Sequence, residues 1–151
     1  MKLNPNSDWD LEEIERYLGS AQSPMRISYN AAGGYPLVSS LWFIYEEGTL
    51  WAASHKNSYL AKKLQDNPKV GFEISTNDYP YCGVRGKADA LLLHDSDERV
   101  LERLIEKYLK GSNKKLASWL LSRQADEFAI RIKPVTLNAW DFASRMSKDP
   151  G

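Results

Sequence analysis

A single cysteine, Cys82, among 151 residues rules out an internal disulfide framework and a cysteine-based zinc site. Charge of one sign is missing too: Lys plus Arg and Asp plus Glu both number 20, so the basic excess of a general nucleic-acid binder is absent. No apolar run approaches the roughly 20 residues that a membrane span needs, and Met1–Pro5 lacks the core of a signal peptide. Internal repeats, low-complexity tracts and linkers are not seen, and neither is a nucleophile–base pair, a carboxylate dyad or a metal-ligand spacing. These absences leave one domain over residues 1–151, cytoplasmic in the simplest reading, with no nucleic-acid or membrane partner and no metal. What is present is enough for a sizeable core, since 42% of the residues are hydrophobic and 11% aromatic.

The stretch from Gly33 to Pro68 carries the most pattern. Pro36–Tyr45 is rich in β-branched and aromatic residues, and Glu46-Glu47-Gly48 supplies a tight turn in which Gly48 takes positive φ. Leu50–Ala53 then returns along the first strand. Beyond Ser54 the period changes: Leu60 and Leu64 are four apart, Lys62 and Lys63 stay polar, and Asn67-Pro68 ends a short helix. A strand that ends in Ser54-His55-Lys56-Asn57-Ser58 and opens a helix gathers N–H groups, hydroxyls and a cation, which suits a phosphate as well as a plain capped turn.

On either side of this stretch the reading is simpler. A helix with the stripe Leu11, Ile14 and Leu18 starts at a Ser7 cap and stops at Gly19, within a lead-in spanning residues 1–22. Strands follow at Arg26–Ala31, Lys69–Ser75 and Tyr81–Leu93, the last with small residues on one face where a strand, helix or ligand comes close. Asp95–Leu109 reads as one helix capped by Asp95 or Ser96 and ended by Gly111, and Leu116–Leu121 as another. Glu127–Lys133 alternates, Pro134 interrupts it, and Thr136–Phe142 opens the C-terminal strand and tail of residues 136–151. The pattern predicts a mainly β, α+β fold: a small antiparallel barrel with helices.

In their order and spacing, GYPLVSSLWFIYEEGTLWAAS, LQDNPKVGFEI, YCGVRGKADALLL and EFAIRIKPVTLNAWDF resemble the pyridoxamine 5′-phosphate oxidase-like family of FMN-binding split barrels, over about Arg26 to Met146. The resemblance implies a six-stranded antiparallel split barrel, a homodimer, and FMN at the subunit interface. It puts Val38, Ser39, Ser40, Leu41 and Trp42 beside the flavin ring and Ala53, Ser54, His55, Lys56 and Ser58 at its phosphate. Relatives carry an Arg and a Lys near the positions of Ser58 and Leu60, so here the cation has to come from Lys56, Lys62 or Arg85. Trp140 begins a tail that either reaches the partner's cofactor groove or only closes the barrel. The implied activity is that of an FMN-dependent oxidoreductase acting on a small molecule with a reduced donor. The alternatives are a deazaflavin- or haem-binding relative and a non-enzymatic module that binds a ligand or a partner.

Overall fold

In the computed structural model, which describes residues 1–147, the alternating stretches join into one sheet. In chain order the elements are β1 (Lys2–Leu3), α1 (Leu11–Ser20), β2 (Met25–Asn30), β3 (Pro36–Leu41), β4 (Ile44–Glu46), β5 (Thr49–His55), α2 (Tyr59–Asp66), β6 (Lys69–Ser75), β7 (Cys82–His94), α3 (Asp95–Glu98), α4 (Val100–Leu109), α5 (Lys114–Ser122), β8 (Glu127–Asp141) and α6 (Ala143–Met146). Hydrogen bonding runs in the order β3-β2-β6-β7-β8-β5-β4, antiparallel throughout, and β1 adds a parallel edge to β8. The two ends of that path, β3 and β4, are consecutive in the chain and separated only by Trp42 and Phe43. The sheet therefore closes through covalent backbone, and the side of β3 not paired with β2 is the split. Counting β3 and β4 as one bent strand and setting β1 aside recovers the six expected strands; the described residues form eight.

Period two decides what fills the barrel. Ile27 and Tyr29 of β2, Val70, Phe72 and Ile74 of β6, and Ile130 and Ile132 of β8 are buried in one cluster. Ile14 and Leu18 of α1 and Leu60 and Leu64 of α2 complete it. A second cluster lies outside the wall, where Val100 and Leu104 of α4 cover Ala129, with Trp42, Ile44, Trp51 and Ala53 packed against them. β5 is thus covered on both faces.

Several expectations change at bends. Pro36–Tyr45 is not one strand returning along β5, because β3 pairs with β2 along its whole length and only β4 pairs with β5. Between them Phe43 leaves the ladder, and α4 takes up its backbone groups: the Phe43 N–H donates to the Tyr108 hydroxyl (3.3 Å), and its carbonyl accepts from Lys107 Nζ (2.8 Å). Such compensation is needed because Phe43 is fully buried and an unpaired backbone group there is costly. The turn after β4 holds, with Glu47 and Gly48 both at positive φ (49° and 77°), as two-residue hairpins prefer.

The N-cap of α1 is Asp10, in a reciprocal capping box with Glu13, rather than Ser7. Ser7 Oγ instead accepts from the Ala139 N–H and ties the lead-in to β8, while Gly19 lies inside the helix. The single helix expected over Asp95–Leu109 breaks at Arg99, which is left-handed (φ 57°). Asp95 is fully buried because its carboxylate caps the second piece from across that break, accepting from the N–H groups of Val100 (2.8 Å) and Leu101 (3.1 Å). Pro134 does not interrupt β8. The ladder passes from Lys87↔Thr136 to Ala88↔Pro134, so Val135 is a bulge residue, and a bulge tolerates a residue with no N–H to give. Residues 148–151, the end of the expected tail, lie outside the described residues.

Candidate functional site

With α4 over β5, one outer face of the barrel is left uncovered by the helices among the described residues: the one formed by β3, β2, β6, β7 and β8. Directly paired residues share a face, so the register writes out its surface. One row across five strands is Ser40–Arg26–Glu73–Arg85–Asn138, and the next is Val38–Ser28–Gly71–Lys87–Thr136. Most of these residues line a groove of about 630 Å³, with Asn4 at its rim. Gly71 leaves the middle of the second row flat, and a Cβ there would meet nothing closer than 3.8 Å.

Arg26, Arg85 and Lys87 outnumber Glu73 in this groove. None of the three cations forms an ion pair among the described residues. The Arg26 guanidinium donates to the Pro24 carbonyl (3.2 Å), that of Arg85 lies 5.1 Å over the Trp140 ring, and Glu73 accepts from the Ser75 hydroxyl (2.9 Å). On the groove wall the Asn138 Oδ1 is buried with no hydrogen-bond partner. A concave, cation-rich surface with a flat glycine floor and an unsatisfied acceptor suits an anionic, planar, hydrogen-bonding molecule, and its size falls within the roughly 300–1,000 Å³ of small-molecule sites.

The residues singled out from the sequence fall into separate places. Val38 and Arg85 line the groove, Ser40 shares its first row, and Trp140 extends it beneath Arg85. Ser39 and Leu41, one residue out of phase, face the barrel instead. Ser39 Oγ lies 3.3 Å from the Tyr29 hydroxyl, and Leu41 packs on the core. Trp42 and Ala53 lie beneath α4, where Trp42 stacks on Tyr108 with the rings 5.0 Å apart and nearly parallel.

Ser54, His55, Lys56 and Ser58 do stand together at the strand–helix junction, but their polar groups serve one another. Ser54 and Ser58 share a hydroxyl hydrogen bond (2.7 Å), Ser58 caps α2 through the Ala61 N–H (3.0 Å), and His55 Nδ1 accepts from the Asn57 N–H (3.1 Å). Lys56 is bound to Asp126 (2.8 Å), and this contact holds the Asp126 carboxyl below the usual range. Lys62 is exposed on α2. The groove residues of the two rows not singled out beforehand are Arg26, Ser28, Gly71, Glu73, Lys87, Thr136 and Asn138. Each sits at an alternate, outward position of a recognised strand, so the periodicity held them, but only the register puts them side by side.

Behind the α3–α4 cover, Glu127 is nearly buried at the start of β8. Burial raises its carboxyl above the ordinary value; Arg123 opposes this, and Asp95 and Asp126 reinforce it. A carboxyl with a raised folded-state pKa adds stability below its unfolded pKa and loses that contribution as pH rises through the folded one. Glu127→Gln is therefore expected to raise the melting temperature at pH 7, with the gain shrinking towards pH 4. A variant that melts lower than the parent at pH 7 would show that Arg123 dominates.

Among the described residues no cluster of three His, Cys, Asp or Glu stands close enough to hold a metal ion, and no helix is long and apolar enough to cross a membrane. No protein-family model and no curated protein matches the sequence. Solved structures do. A conserved hypothetical protein from Mycobacterium tuberculosis superposes with a TM-score of 0.78 at 17% identity, over 100% of this chain and 96% of the other. An F420 reductase gives 0.66 at 19% identity, over 82% of this chain and 94% of its own. A candidate pyridoxamine 5′-phosphate oxidase from Listeria innocua gives 0.65 at 18%, over 85% and 95%. At these identities the likeness is one of architecture: the chain has the split-barrel fold of the pyridoxamine 5′-phosphate oxidase-like proteins.

Proposed function

We propose that this chain binds a flavin-type cofactor, FMN in the first place, in the two-row groove and acts as an oxidoreductase on a small molecule. The observation that carries this reading is the set of three cations that form no ion pair among the described residues, beside the Asn138 oxygen that lacks a partner there, in a groove of about 630 Å³. Arg26, Arg85 and Lys87 would hold the phosphate through charge-assisted hydrogen bonds. Asn138 would accept from a ring N–H, and Gly71 would let a flat ring lie close to the sheet. A bound flavin supplies the two-electron chemistry, while the protein binds and orients. The groove is preferred to the strand–helix junction as the phosphate site because Lys56 is already tied to Asp126 and Ser58 to the helix cap.

The groove is open on its outer side, and a homodimer with the cofactor between subunits would cover it; a cytoplasmic location goes with the same reading. Deazaflavin is the second occupant to test, since a structural neighbour is described as an F420 reductase and the same cations suit an acidic tail. Haem is less favoured, because among the described residues no His, Cys or Met lines the groove to ligate iron. The test is an absorption spectrum of purified protein incubated with FMN, a deazaflavin or haemin and then desalted. Retained FMN, reducible by a nicotinamide donor, is the expected result. Retention of the deazaflavin alone would transfer the assignment to that cofactor, and protein colourless in all three arms would overturn it.

A further inference from the structure

Lys107 has no part in the groove, and its surroundings are unlike those of the other lysines. Its Nζ donates to the Phe43 carbonyl (2.8 Å), at the point where β3 gives way to β4. It lies 3.9 Å from the centre of the buried Phe43 ring and 4.9 Å from that of Tyr108. No carboxylate pairs with it among the described residues. On its outer side a depression of about 420 Å³, lined by Ile44, Glu102, Arg103, Glu106 and Lys107 itself, gives access from solvent. Arg103 is engaged by Glu46 and does not close it.

We propose that Lys107 is a covalent modification site, its Nζ taking an acyl group from an activated donor, an acyl phosphate or an acyl thioester, that enters this depression over Ile44. In the step the neutral amine attacks the acyl carbon and the N–C amide bond forms. The bond from that carbon to the phosphate oxygen or thioester sulfur breaks, and the leaving group departs with the electron pair. The amine proton passes to water, and nothing is oxidised or reduced. The product keeps one N–H but has lost its charge over the two rings, so the modification alters the contact that holds the strand break to α4.

Burial is what makes the amine available: it brings Lys107 down to about 8, whereas the Phe43 carbonyl and the ring faces favour the ammonium form. The charged groups lining the depression with it are Glu102, Arg103 and Glu106 from its own helix, and the titratable group against its amine is Tyr108, whose hydroxyl burial pushes up; Glu46 of β4 reaches Arg103, and Trp42 and Phe43 of the link carry no charge. At pH 7.5 roughly a quarter of such an amine is neutral, against about one part in a thousand for an ordinary lysine. Intrinsic nucleophilicity falls as pKa falls, with a slope of about 0.4–0.5 for thiols. Applied to an amine, that slope leaves a net advantage of about tenfold.

The experiment is competitive labelling of the folded protein with limiting acetyl phosphate and, in parallel, an S-acetyl thioester, read by peptide mass spectrometry. Lys107 is expected to label about tenfold faster than Lys62 and Lys114, with a pH midpoint near 8. The advantage should disappear in denaturant. Faster labelling by either donor supports the proposal, and the faster arm identifies the donor class. A native rate for Lys107 at or below that of the exposed lysines, or a midpoint near that of an ordinary lysine, overturns it. Lys107→Arg, which keeps the charge and a donor to Phe43, should fold normally and lose only this label.

Discussion

Gly86→Ala is expected to cost at least about 3 kcal/mol of stability, the upper end of what overpacking does and a large fraction of a domain's total. Gly86 faces the barrel between Phe72 and Leu137. A Cβ there would lie 2.1 Å from the Thr136 carbonyl oxygen and 3.0 Å from the Phe72 ring. The first obstacle is the backbone of β8 and the second a buried aromatic, so no flexible side chain can give way. Gly71→Ala is the control, one sheet position away on the opposite face. Its Cβ would meet only ordinary contacts at 3.8 Å, and the expected change is within about 1 kcal/mol. Urea unfolding of the two variants separates a close strand approach from a general intolerance of this sheet to side chains. Equal midpoints would mean that β8 moves aside without difficulty.

The other large effect concerns binding. Arg85→Ala is expected to weaken FMN retention about 10- to 100-fold, the equivalent of one charge-assisted hydrogen bond lost. Arg85 is exposed and has no ion pair among the described residues, so the fold should not suffer. Lys56→Ala serves as the comparison, because its ammonium is already engaged by Asp126; a change below about threefold is expected there. Fluorescence titration of the two variants locates the phosphate. If Lys56→Ala loses the flavin and Arg85→Ala keeps it, the phosphate sits at the strand–helix junction and the groove assignment fails.

These variants also show where the sequence was readable. Alternation in Lys69–Ser75 and Glu127–Lys133, the stripe Leu60 and Leu64, and the turn at Gly48 each reflect one local period or one allowed φ, and all of them hold in the structure. The barrel class followed from them. The misplaced boundaries have tertiary causes. Asp95 caps α4 across the Arg99 break because burial beneath β8 and Gln124 fixes its carboxylate there, and Phe43 leaves its strand because Tyr108 accepts from its N–H and Lys107 donates to its carbonyl.

The groove shows the same division. Arg85 was visible as one of three candidate cations, on the strand face opposite the small residues, and Val38 as a hairpin residue that the family resemblance put beside the ring. By itself the sequence determined the period of most elements, the shared face of Val70, Phe72 and Ile74 and that of Ile130 and Ile132, and the balance of charge, because these depend on neighbours two to four residues apart. Only the tertiary structure decided that Arg26, Glu73, Arg85 and Asn138, drawn from four strands, form one row, while Ser39 and Leu41 turn inward and Trp42 and Ala53 are covered by α4. The physical reason is register: which residue stands opposite which is set by ladders between distant segments, and a shift of one position would move every side chain to the other face.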